Sequence, residues 1–271
     1  MKTLILCFAG LAGIVFAQEA GTDRVTVPFS NASKPRSLVV NLLNGSISVK
    51  GYSGKEAIIE AKGRTRSRNR RSPKEADGLR RLEIAGSGLN IEENDNVISV
   101  GAGINNDGLE LSIQVPVETS VKLRSVNDSD LVVEGVSGEI DVHSVNGSVS
   151  VTNVTGTVLA HALNGKVLVR LDRVTPGKPM SFSSLNGDID VTLPADIKAN
   201  IKMKSDHGDI FTDFEIAMQP TSRQPTVQDR RESGGKYKLS FDRALYGTIN
   251  GGGPELQFTT LNGRIFIRQK K

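Results

Sequence analysis

The chain has 271 residues, a formal net charge of +4, 37% hydrophobic and only 4% aromatic residues, and no tryptophan. One cysteine, Cys7, excludes a disulfide framework, and no apolar run approaches the roughly 18 residues of a membrane-spanning helix. Length and composition allow one or two cores held by burial and backbone hydrogen bonds alone.

The first element is a targeting signal, residues 1–17. Lys2 supplies a basic start, Leu4 to Phe16 an apolar stretch, and Val15-Phe16-Ala17 a small-x-small cleavage site before Gln18. Export to the periplasm, the cell surface or the extracellular space is expected. Cys7 leaves with the signal and lies away from the cleavage point, unlike a lipid-anchor cysteine.

Residues 23–115 read as a leading β portion. Ser46-Ile47-Ser48-Val49 and Leu109 to Val115 alternate apolar with polar residues, the period of a half-buried strand. Between them runs a basic segment, Lys62 to Arg81, with Arg64, Arg66, Arg68, Arg70 and Arg71 opposed only by Glu75 and Asp77. Such a run suits an anionic glycan, a lipopolysaccharide or a nucleic acid. It has no interleaved aromatics and no nucleic-acid fold signature, so a solvated loop is expected and no nucleic-acid partner. Within it, Ser72-Pro73-Lys74-Glu75 combines an N-cap, a first-turn proline and a capping Glu, predicting a short helix to about Arg81.

Residues 116–268 carry a repeat. Gly138, Gly147, Gly156 and Gly165 fall nine residues apart, each followed by Val or Ile two residues later. The longer unit has Leu or Val, then Asn-Gly, then an alternating strand. It can be read at Asn44, Asn127, Asn146, Asn164, Asn186, His207 and Asn262. A second turn recurs between copies, as in Gly135-Val136-Ser137-Gly138, so one unit is strand, turn, strand, turn in 18 residues. Both residues of Asn-Gly tolerate positive φ, which favours the pair at a turn.

A short fixed period that cannot bury its apolar face alone predicts stacked coils. The fold expected is all-β: a single-chain β-solenoid with coils of roughly 18–22 residues, the longer units bulging at corners. Ile140, Val142, Val149, Val151, Val158, Ala160, Val167 and Val169 then point inward; Glu139, Asp141, Ser148, Ser150, Lys166 and Leu168 point out. The alternative is a meandering antiparallel β-sandwich, because Asn-Gly is also a strong hairpin signal. Glu215 to Lys236, rich in Pro, Arg and Gln, breaks the pattern and reads as a mobile polar loop, 215–236.

The Val-x-Gly-Val-Ser-Gly-x-Ile-x-Val units close with Tyr246-Gly-Thr-Ile-Asn-Gly-Gly-Gly-Pro254 and Thr260-Leu-Asn-Gly-Arg-Ile-Phe-Ile267. Over roughly residues 25–268 this resembles the exported bacterial β-strand-repeat proteins grouped as candidate adhesins. The resemblance implies a β-solenoid-like fold and a place in the envelope or outside the cell. It implies no catalytic residue.

Three constellations suggest chemistry. His143 and His161, 18 residues apart, would stack on neighbouring coils and are the candidate metal ligands, although a site needs further donors. His207 takes an Asn place and is out of register with them. Asp128 with Asp130, Glu139 with Asp141, and Asp188 with Asp190 each share an outward face, as carboxylates of polysaccharide-acting β-helices do. They fall on different coils, so solubilising charge explains them as well. Gly-Gly-x-Gly-x-Asp calcium repeats are absent, and Gly247 to Gly253 lacks the spacing of a phosphate-binding motif.

Together these readings give an exported, non-catalytic structural or binding module, with no cofactor, meeting an envelope or extracellular glycan or another envelope protein. The binding candidates are Arg64, Arg66, Arg68, Arg70 and Arg71, with hydroxyls from Ser144, Thr152, Ser183, Ser184, Thr259 and Thr260. The alternatives are a β-helical lyase or hydrolase acting on polysaccharide, and a signalling partner in envelope stress.

Overall fold

The computed structural model describes residues 22–63, 88–102, 108–127, 130–219, 226–229, 237–240 and 244–271. The expected signal, the run from Arg64 to Arg71 and the short helix lie outside these residues. Among the described residues there is no helix, and none long and apolar enough to cross a membrane.

Alternation within each unit puts every second side chain inside, and the units stack to bury them. The chain is a β-solenoid. The strand Ser137–Asn146 (β9) and the second half of Val149–Asn164 (β10) pair in parallel, with Ile140 opposite Val158, Val142 opposite Ala160 and His143 opposite His161. A meander would have made these pairs antiparallel. The eight residues expected inward are all buried.

Each coil crosses two faces, here called front and back. The first half of Arg36–Tyr52 (β2), then Thr119–Asn127 (β7), β9, the second half of β10 and Met180–Ser184 (β12) follow one another on the front. The second half of β2, then Leu131–Glu134 (β8), the first half of β10, Val167–Val174 (β11) and Ile189–Leu193 (β13) do so on the back. β10 turns from one face to the other at Asn153, whose φ is 54°.

Chain order and stacking order part company at both ends. The C-terminal coil, Glu255–Thr260 (β20) with Ile265–Gln269 (β21), sits directly on β12 and β13. The coil that precedes it in sequence, Ala199–Ser205 (β14) with Ile210–Thr212 (β15), lies beyond it. At the other end β2 is wedged between the β7–β8 coil and one made of Val97–Ala102 (β5) and Leu109–Pro116 (β6). Coils on both sides of residue 115 thus belong to one stack.

Antiparallel strands close the ends. Leu89–Asn94 (β4) covers β5 on the front, while on the back Ala57–Gly63 (β3) covers β6 and Thr22–Val27 (β1) covers β3. At the far end Leu245–Ile249 (β19) covers β14, and Ala217–Met218 (β16) covers β19. These strands take up edges that the end coils would otherwise leave open. Part of the stretch expected as a loop is therefore paired: besides β16, Thr226–Asp229 (β17) forms an antiparallel pair with Tyr237–Ser240 (β18).

Stacking explains the Asn-Gly corner better than backbone freedom does. The amide nitrogen of Asn127 donates to the side chain of Asn44 at 3.1 Å. The same bond links Asn146 to Asn127, Asn164 to Asn146, Asn186 to Asn164 and Asn262 to Asn186, at 2.7–3.2 Å. None of these six asparagines has positive φ. Glycine follows because the coils touch there: a Cβ on Gly165 would overlap the carbonyl oxygen of Gly147. Gly187 and Gly263 stand in the same relation to the coil before them.

Candidate functional site

The front face carries an open groove of about 750 Å³ along the stack axis. Its floor is one column of outward side chains in strict register. Asn41 is opposite Arg124, Arg124 opposite His143, His143 opposite His161, His161 opposite Ser183, and Ser183 opposite Thr259. Six rungs at strand spacing make a track of about 24 Å.

One wall of the groove is apolar. Leu43, Val126, Val145, Leu163 and Leu185 each precede a ladder asparagine, and there the chain leaves the regular alternation to turn the corner. The residue before each is buried (Leu42, Ser125, Ser144, Ala162 and Ser184), so the apolar residue that follows is left outside: Leu43, Leu163 and Leu185 are 41%, 43% and 38% exposed. The result is a ridge of methyl groups in water along several coils. Its signal in the sequence is the Leu or Val before Asn44, Asn127, Asn146, Asn164 and Asn186.

Polar groups on the floor are tied to one another. Nε2 of His143 lies 2.6 Å from Oδ1 of Asp141, whose other oxygen is 3.5 Å from Nζ of Lys122 and 3.8 Å from a guanidinium nitrogen of Arg124. Nδ1 of His161 is 2.5 Å from the hydroxyl of Ser183. The two rings are 4.6 Å apart between centroids and tilted by 32°. Burial, and secondly the neighbouring His143, hold the His161 imidazole below the ordinary histidine value, with Asp141 pulling the other way.

The structure brings the two candidate metal ligands together, yet one nitrogen of each is engaged by Asp141 or Ser183. Among the described residues no group of three or more His, Cys, Asp or Glu side chains is arranged to hold a metal ion. His207 stands apart, in the terminal coil, where its backbone N–H donates to the carbonyl of Leu261.

The carboxylate pairs are dispersed and engaged. Asp188 accepts from Arg264 and Asp190 from Arg268, on the back face. Hydrogen bonds from Arg264 hold the Asp188 carboxyl below its usual range. Glu139 pairs with Lys178, and Asp130 accepts the backbone N–H of Ser148; Asp128 lies outside the described residues. Among the described residues, Asp130, Glu139, Asp141, Asp188 and Asp190 are thus each engaged by a neighbouring group.

Half of the expected hydroxyls turn inward, which corrects that reading. Ser144, Ser184 and Thr260 are buried. Ser184 donates to the carbonyl of Gly165 at 2.9 Å and Thr260 to that of Gly187 at 3.2 Å, fastening each coil to the one before. Ser183 and Thr259 remain on the groove floor, and Thr152 faces out on the back.

A candidate cell adhesion protein from Clostridium sporogenes shares 12% identity and superposes with a TM-score of 0.48, over 92% of this chain and all of that one. A candidate adhesin from Bacteroides fragilis shares 9% identity with a TM-score of 0.31, over 93% of this chain and 98% of its own. Neither similarity is close enough to carry a conclusion about this chain. No curated protein matches it. Residues 7–243 match the model of the Toastrack DUF4097 family, to which the chain belongs.

Proposed function

We propose that the chain is an exported, non-catalytic, adhesin-like scaffold that holds an extended glycan or protein of the envelope or extracellular space along its front groove. The ridge of Leu43, Val126, Val145, Leu163 and Leu185 carries this reading. Single exposed apolar residues are ordinary on a protein surface, whereas a continuous row beside a polar track is a binding feature. The register supports it further, because a parallel stack repeats its contacts at fixed spacing and suits weak, multivalent contact. The targeting signal supplies the location. The basic segment from Arg64 to Arg71 would add attraction for acidic polymers.

The test is binding of the mature protein to isolated cell envelopes, with and without Leu163→Asp and Leu185→Asp together. Both side chains are exposed, so the fold should change by no more than about 0.5 kcal/mol per site. Binding should fall sharply. Full binding by the folded double variant would remove the groove from the account. Neutralising Arg64, Arg66, Arg68 and Arg70 in a separate variant tests the basic segment alone.

A further inference from the structure

The back face ends, beside the C-terminal coil, in a second surface of different chemistry. Phe266 of β21 and Phe211 of β15 are opposite one another, with ring centroids 5.2 Å apart and planes within 12°. Phe211 is 47% exposed, and among the described residues no strand follows β15 on this face, so nothing there continues the stack beyond its ring. A second stacked pair, Phe182 on Phe258, has no such opening, since both are fully buried.

Two guanidinium groups frame the rings. The central carbons of Arg264 and Arg268 lie 5.2 and 5.1 Å from the Phe266 centroid. Each is fixed by a carboxylate: Arg264 donates to Asp188 at 2.7 Å and Arg268 to Asp190 at 2.9 Å. The side chains of both arginines remain more than half exposed. A guanidinium has five N–H groups, and these pairings occupy two on Arg264 and one on Arg268. The surface therefore offers an apolar ring and oriented donors and acceptors whose positions are already set.

We infer that this is a platform for a neutral pyranose in a glycan with equatorial substituents, such as β-linked glucose or N-acetylglucosamine. The axial C–H groups of such a ring form a flat apolar face that matches an exposed aromatic, while its equatorial hydroxyls reach outward to planar polar side chains. Charge does not favour an acidic polymer here. Both arginines are already paired with carboxylates, and Asp209 and Asp213 act on them while Lys166 acts on Asp188, so the patch holds no excess positive charge to draw one. The site shares no residue with the front groove, so either can fail without the other.

Saturation-transfer NMR with cellotetraose and with chitotetraose tests the inference on the mature protein. Transfer to the axial ring protons is expected, unchanged between low and high salt. Phe211→Ala should weaken binding roughly tenfold or more, as removal of a stacked aromatic face entails, while Phe211→Tyr and Leu163→Asp should leave it intact. No transfer to either oligosaccharide, or equal transfer in wild type and Phe211→Ala, overturns the inference. Should Phe211→Ala fail to fold, Arg268→Gln, which keeps both rings, decides in the same way.

Discussion

His143 and His161 stand in register on neighbouring coils, their ring centroids 4.6 Å apart, and they are held differently. His143 contacts the carboxylate of Asp141, with Lys122 and Arg124 on the same carboxylate; His161 is half-buried against Ser183. His161 therefore takes up a proton less readily than an ordinary histidine, through burial first and the adjacent imidazole second.

The sign of the resulting pH dependence is fixed. With its folded value lowered, the native state binds fewer protons than the unfolded chain once pH falls through the ordinary value of 6.5. The stability from this group is complete above that value and is lost as pH drops through the lower, folded one. His161→Gln should consequently lose less Tm than wild type between about pH 7 and about pH 5. Equal losses in the two proteins would acquit His161.

Glycine at the Asn-Gly corner is a matter of room. Gly165→Ala places a methyl against the carbonyl oxygen of Gly147, backbone against backbone, with no flexible side chain to yield. A cost of about 3 kcal/mol or more is expected. Gly177 has φ of 78° but open space around its would-be Cβ, so Gly177→Ala should cost only about 1 kcal/mol of backbone strain. Urea unfolding of the two variants separates contact from conformation, and similar costs would show that the contact between Gly165 and Gly147 relaxes cheaply.

The asparagine ladder is exposed to water, so each rung contributes modestly. Asn164 donates to Asn146 and accepts from Asn186. Asn164→Ala removes both bonds and should destabilise by about 1–2 kcal/mol in urea unfolding, near the low end for solvated bonds. A change within error would mean that the amides gain nothing over water.

Much of this architecture was legible because period-2 alternation and a fixed repeat survive in the residues themselves: the inward positions from Ile140 to Val169 follow from spacing alone. The function of the corner was not. Asn-Gly suggests a turn by φ, and only the stacked coils reveal that Asn164 bonds along the axis and that Gly165 makes room for Gly147. The ridge was hidden for a similar reason, since Leu163 reads as one more apolar residue until Ala162 is found to fill the inward place. Stacking order was the largest omission. Its trace is His207, which stands where other coils have asparagine and belongs to the coil beyond Asn262, at the end of the ladder. Strand pairing over such separations is set by which edges remain open, which no local pattern encodes.

That stacking order makes the chain terminus an interior part. β20 lies between β12 and β14, and β21 between β13 and β15, so the final residues supply a coil with neighbours on both sides. Ending the chain at Gly253 removes the buried side chains of Leu256, Phe258, Ile265 and Ile267 and uncovers both adjoining coils. At about 1.5–3 kcal/mol for each buried apolar side chain, the loss rivals the whole stability of a typical domain. The truncated protein should be insoluble or lack a cooperative thermal transition. Removing only Lys270 and Lys271, whose Lys270 pairs with Asp172 at the surface, should leave Tm nearly unchanged. A soluble, cooperatively folding chain ending at Gly253 would show that β14 and β15 can close directly onto β12 and β13, and that the inserted coil is dispensable.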